Sequence, residues 1–83
     1  MRDIELYDEE EFKRDFPEVM EIVEREAQKL DVALEDHYFV QFEGSAPYYM
    51  VTYALEEDED QSLTIELEKK EEWEIIESSY EQD

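Results

Sequence analysis

Leu63-Thr64-Ile65-Glu66-Leu67-Glu68 alternates apolar and polar side chains without a break. A period of two sets Leu63, Ile65 and Leu67 on one face of a strand and Thr64, Glu66 and Glu68 on the other. A strand wet on one face and dry on the other belongs to an antiparallel sheet covered on a single side. The same period extends in both directions along the chain. Upstream, Tyr49, Val51, Tyr53 and Leu55 alternate with Tyr48, Met50, Thr52 and Ala54. Before that, Tyr38, Val40 and Phe42 alternate with His37, Gln41 and Glu43, with Phe39 as the exception. Downstream, Trp73-Glu74-Ile75-Ile76-Glu77 reads as a last strand whose adjacent isoleucines allow a bulge. Gly44-Ser45-Ala46-Pro47 and Lys69-Lys70-Glu71-Glu72 read as turns, and the acidic run Glu56–Asp60 as a loop. Short connections make neighbouring strands antiparallel, so residues 37–80 form a four-stranded meander.

The period changes to 3.6 in the N-terminal part. Phe12, Phe16, Val19, Met20, Val23, Ala27 and Leu30 form one helical stripe. Asp8-Glu9-Glu10-Glu11 has the form of a capping box. Pro17 would break a continuous helix but suits the first turn of a new one, with Asp15 or Phe16 as its cap. The spacing predicts a short helix over about 9–15 and a longer one over 17 to about 30, the alternative being a single kinked helix. Ile4 and Leu6 offer a short extended segment before them. The expected class is α+β: an N-terminal helix, broken at Pro17, packed on one face of the four-stranded antiparallel meander in a single domain, 1–83.

The charge of the chain is as distinctive as its periodicity. Twenty-eight acidic residues against seven basic ones give a formal net charge of −21 on 83 residues. Duplex DNA carries that much charge in about 36 Å, roughly one helical turn. High net charge is also a signature of disorder, but 41% of the residues are hydrophobic and their periodic placement argues for a fold. A chain of this length buries only about 60% of its unfolded surface, so self-repulsion is felt and salt relieves it.

Composition excludes several classes of function. Without cysteine there are no disulfides, thiolate metal sites or cysteine nucleophiles. Met1-Arg2-Asp3-Ile4-Glu5 lacks the apolar core of a secretory signal, and no stretch has membrane-spanning length. An anionic membrane would repel the chain, so a cytoplasmic protein is expected. His37, the single histidine, has no second histidine to complete a usual zinc or iron set and reads as a surface residue at a strand start. Among twenty glutamates and eight aspartates, close carboxylate pairs carry no catalytic specificity. Glu56–Asp60 resembles a calcium loop in composition only, since the sixth residue counted from Asp58 is Leu63, not glycine. Seven cations dispersed among acids cannot make a phosphate-binding patch, which excludes direct nucleic-acid binding. No catalytic residue, cofactor or metal is expected.

What the pattern offers is a fixed array of carboxylates. Glu66 and Glu68, continued by Glu72, Glu74 and Glu77, occupy the wet phase of the strands, and Glu56, Glu57, Asp58, Glu59 and Asp60 add a second acidic group. Carboxylates two apart on a strand lie about 6.8 Å apart, with neighbouring strands about 4.8 Å away. Tyr48 and one face of Trp73 add exposed aromatic surface of the kind enriched at interface hot spots, and Tyr80 is expected to be exposed as well. These residues form the candidate partner-binding set.

In size, charge and want of catalytic residues, the chain resembles the small acidic proteins, many of them phage-encoded, that mimic DNA and block restriction, repair, transcription or CRISPR enzymes. Those proteins share no common fold, so no functional residue is carried over. The resemblance implies a non-catalytic inhibitor that occupies the basic groove of a nucleic-acid enzyme. Other readings stay open at this point. One is an acidic adaptor or chaperone for a basic protein. Another is salt adaptation, against which the excess of glutamate over aspartate and the retained lysines argue. The third is a small globular protein kept soluble by its charge.

Overall fold

The protein is described by a computed structural model over residues 5–81. The chain runs β1 (Glu5–Tyr7), α1 (Glu9–Asp15), α2 (Pro17–Lys29), a 3-10 turn (Leu34–Asp36), β2 (His37–Ser45), β3 (Tyr48–Leu55), β4 (Ser62–Lys69) and β5 (Trp73–Glu81). It is an α+β fold with two helices and one antiparallel sheet in the order β1-β2-β3-β4-β5. The expectation of four strands is corrected to five. Leu6 lies in β1, paired with Glu43, whereas Ile4 falls outside the described residues. Three residues carry too little pattern to announce a strand by themselves. β1 exists because it can add to the edge of β2.

The helices begin and end for local reasons. The Asp8 carboxylate accepts a hydrogen bond from the Glu11 backbone N–H at 2.8 Å, capping α1. Phe16 separates the helices, and Pro17 occupies the first turn of α2, where its missing N–H costs nothing. At the end of α2, Asp31 adopts φ 58°. Its N–H donates to Gln28 O at 3.2 Å and that of Val32 to Ala27 O at 2.8 Å. This pair of bonds around a left-handed residue satisfies the last carbonyls of the helix.

Buried side chains of both helices and of the sheet form one cluster: Phe12, Val19, Val23 and Ala27 with Phe42, Val51, Tyr53, Leu63, Ile65 and Leu67. Aromatic rings carry much of it. Phe42 stacks on Tyr49 with centroids 5.5 Å apart and lies 4.8 Å from both Phe12 and Phe16. Tyr53 donates to the Met20 sulfur at 3.4 Å, and burial, followed by the charges of Glu9 and Glu24, pushes its phenol up to about 12. The one glycine is required by close approach. A Cβ on Gly44 would collide with the Tyr48 carbonyl oxygen and come within 2.7 Å of Tyr49 Cα.

Two bulges set which residues face which way. In β2 the register shifts between Phe39 and Gln41. His37 and Phe39 therefore share the face of Phe42, while Tyr38 joins Gln41 and Glu43 on the other. The shared face expected for Tyr38, Val40 and Phe42, with Phe39 as the exception, is thus corrected: the extra residue, Val40, reverses the phase within the strand. In β5 the shift falls at Ile76, between the pairs Glu66–Glu77 and Leu67–Ile75, in the isoleucine pair that suggested one.

Candidate partner-binding face

The face of the sheet opposite the aromatic cluster is built in cross-strand rows. One row runs Leu6, Glu43, Met50, Glu66 and Glu77. The next runs Ser45, Tyr48, Glu68 and Glu74. On the other side of the first row lies a hydroxyl-rich row of Gln41, Thr52, Thr64 and Ser79. The acidity is therefore concentrated toward the end of the sheet that holds the β4–β5 turn.

Glutamates stand directly opposite one another at Glu66–Glu77 and Glu68–Glu74. Like charges in that relation oppose strand pairing by about 0.2–1 kcal/mol. The second pair is relieved by Lys70, whose Nζ lies 3.3 Å from Glu74 and 3.7 Å from Glu68. The hydrogen bond to Glu74, then the charge of Glu68, raises the pKa of Lys70. Among the described residues, no ion pair involves Glu43, Glu66 or Glu77. Gln41 Nε2 donates to Glu43 at 3.1 Å, which orders that carboxylate without neutralising it.

The structure divides the residues singled out from the sequence. Glu66, Glu68, Glu74, Glu77 and Tyr48 come together on the open face, and Glu72 adjoins them on the β4–β5 turn. The run Glu56, Glu57, Asp58, Glu59 and Asp60 lies beyond the opposite end of β4, with Ser62 about 14 Å along the strand from Glu66. Asp58 organises this loop. Its carboxylate accepts from Asp60 N at 3.0 Å and from Gln61 Nε2 at 3.3 Å. Glu59 accepts from the Tyr38 hydroxyl at 3.1 Å. Desolvation and this bond raise the pKa of Tyr38. Trp73 belongs to the other side of the sheet. It is half-buried, with ring centroids 5.2 Å from Tyr49 and 6.1 Å from Phe16, and Lys69 Nζ lies 5.3 Å from its ring centre.

His37 is not a surface residue, which corrects the sequence reading. It is 9% exposed. Nδ1 lies 2.8 Å from the Ala33 carbonyl oxygen, an acceptor only, so this nitrogen carries the proton and donates. Nε2 lies 2.8 Å from the Tyr80 hydroxyl oxygen, which completes the pair of ring hydrogen bonds. Tyr80 is accordingly half-buried instead of exposed. Both ring nitrogens tie β2 to β5 and to the turn before β2, a structural task. Among the described residues, no group of three or more His, Cys, Asp or Glu is arranged to hold a metal ion. None of the helices in that range is long and apolar enough to cross a membrane.

Sequence reasoning passed over Glu43 and Met50 as site residues. Both occupy the wet phase of their strands, so the signal was present, but only the register shows that they share a row with Glu66 and Glu77. Comparison with protein-family models, with curated proteins and with solved structures finds no match. What defines the class is therefore the molecule itself: a small α+β domain with an ordered acidic sheet face.

Proposed function

We propose that this is a non-catalytic acidic protein that binds the basic nucleic-acid groove of a partner enzyme and inhibits it by presenting DNA-like charge. It acts in the cytoplasm, that of the host cell when phage-encoded, and needs no cofactor. One observation carries the reading: carboxylates at Glu43, Glu66 and Glu77 stand in one strand-spaced row with no described cation paired to them. Opposed like charges reduce stability, and a cationic groove would turn that cost into binding energy. The dimensions suit such a groove, because the longest extent of the fold is 34 Å, close to the roughly 36 Å of duplex with equal charge. A sheet fixes the charges in advance, so less ordering entropy is lost on binding than with an acidic tail.

The test uses a panel of purified restriction, repair and CRISPR nucleases, with binding measured across a salt series and with added duplex DNA. Binding to a nuclease that is displaced by duplex, with log affinity falling linearly with log salt, is the expected result. The double variant Glu66→Lys with Glu68→Lys should abolish inhibition while circular dichroism shows the fold retained. Complexes that persist when duplex is added would replace the decoy reading with that of an adaptor.

A further inference from the structure

The open face is not uniformly polar. A depression of about 450 Å3 interrupts it, with Glu43, Ser45, Tyr48, Met50, Glu66 and Ile76 in its lining. Register accounts for its composition. Met50 sits between Glu43 and Glu66 in one row, so two carboxylate-bearing strands flank an apolar side chain, about 9.6 Å apart at the backbone. The β5 bulge delivers Ile76 to the rim beside Glu77. Tyr48 and Ile76 are 48% and 52% exposed. Among the described residues, no lysine or arginine lines the depression.

Carboxylates alone would attract any cation. The apolar surface between them selects among cations. A lysine ammonium is compact and strongly hydrated, and it loses solvation over methionine and isoleucine. A guanidinium is planar and weakly hydrated, stacks on aromatic rings and donates to carboxylates on two sides. We infer that this depression receives an arginine side chain of the basic partner. The stem lies over Met50 and Ile76, the guanidinium plane meets the Tyr48 ring, and its N–H groups donate to Glu43 and Glu66. The inference deepens the proposed binding of a basic groove and rests on it for the partner. Its added content is that recognition depends on the kind of cation as well as on total charge.

The test is a titration of the full chain, labelled at its methionine methyl groups, with tetra-arginine and tetra-lysine peptides of equal charge. Tetra-arginine should shift the Met50 methyl signal and bind about two- to fivefold more tightly, the scale of an exposed cation–π contact. Tyr48→Leu, which leaves the charge unchanged and keeps an apolar side chain but removes the ring, should bring the affinity for tetra-arginine down to that for tetra-lysine. Equal affinities for the two peptides, or a Met50 signal that does not move, would overturn the arginine site. The decoy reading would still stand if the nucleases were bound and released by duplex. Arginine selection by a chain that no duplex displaces from any nuclease would uphold the site and remove the decoy.

Discussion

The two faces of the sheet are made by the same strands and obey opposite rules. In β4, Leu63, Ile65 and Leu67 are at most 1% exposed, and each contributes about 1.5–3 kcal/mol by burial. One residue along from each, Thr64, Glu66 and Glu68 look outward, with two of the three opposed by another glutamate. An opposed pair costs about 0.2–1 kcal/mol, so the dry face outweighs the wet one with a margin. That margin lets a chain with a net charge of −21 remain folded. The comparison teaches a division of labour: the buried face determines where the strands lie, and the strands then determine where the carboxylates lie.

The hardest test of that division is Phe42→Ala. The ring meets Tyr7, Phe12, Phe16 and Tyr49, and its removal should cost about 3–5 kcal/mol in urea denaturation. Against a total stability of roughly 5–15 kcal/mol for a domain, that loss removes a large fraction and should move the urea midpoint well below that of the parent. A loss below about 1 kcal/mol would mean that the aromatic cluster does not set the fold.

Charge on the wet face can be altered with the opposite sign of effect. Glu77→Lys places a cation across from Glu66 and should raise stability by about 0.5–1 kcal/mol in low salt while weakening partner binding. The gain should shrink as salt is added. A variant that gains stability and also binds as well as the parent would break the link between opposed carboxylates and function.

The smallest effect probes the dry face by pH. Burial raises the Tyr53 phenol from 10 to about 12, so between those values the folded chain holds a proton that the unfolded chain releases. Its contribution is complete below pH 10 and disappears as pH rises through about 12. Tyr53→Phe should flatten the alkaline limb of the stability profile in that window, read by circular dichroism at fixed urea. Identical alkaline limbs for parent and variant would show that this phenol does not govern it.

Much of the arrangement was legible because it is written in local periods. Pro17 and Asp8 marked the helix boundaries through backbone chemistry that acts within one turn. The alternation in β4 survived intact because β3 pairs with it from Ser62 to Glu68 without a register shift, and the bulge on its other side lies in β5. What escaped depends on partners distant in sequence. β1 is visible only against β2. The phase reversal at Val40 needs the register with β3. His37 looked exposed because its partner, Tyr80, lies 43 residues away. For the site, residue type identified Glu66, Glu68, Glu74, Glu77 and Tyr48, but Trp73 went to the opposite side because β5 begins in phase with Lys69 and Leu67.

β5 carries a further consequence. It is the outer strand of the sheet and nine residues long, against three for β1 at the other margin. A long outer strand with Ile75 38% and Ile76 52% exposed is a template on which other chains can polymerise. Glu74, Glu77 and Glu81 on that strand, together with its bulge, deter such growth by repulsion and by misalignment. The acid face thereby also serves as a gatekeeper against fibrils. In strongly acidic buffer, where carboxylates lose their charge, that guard is removed, and the chain should assemble through β5 into thioflavin-binding aggregates.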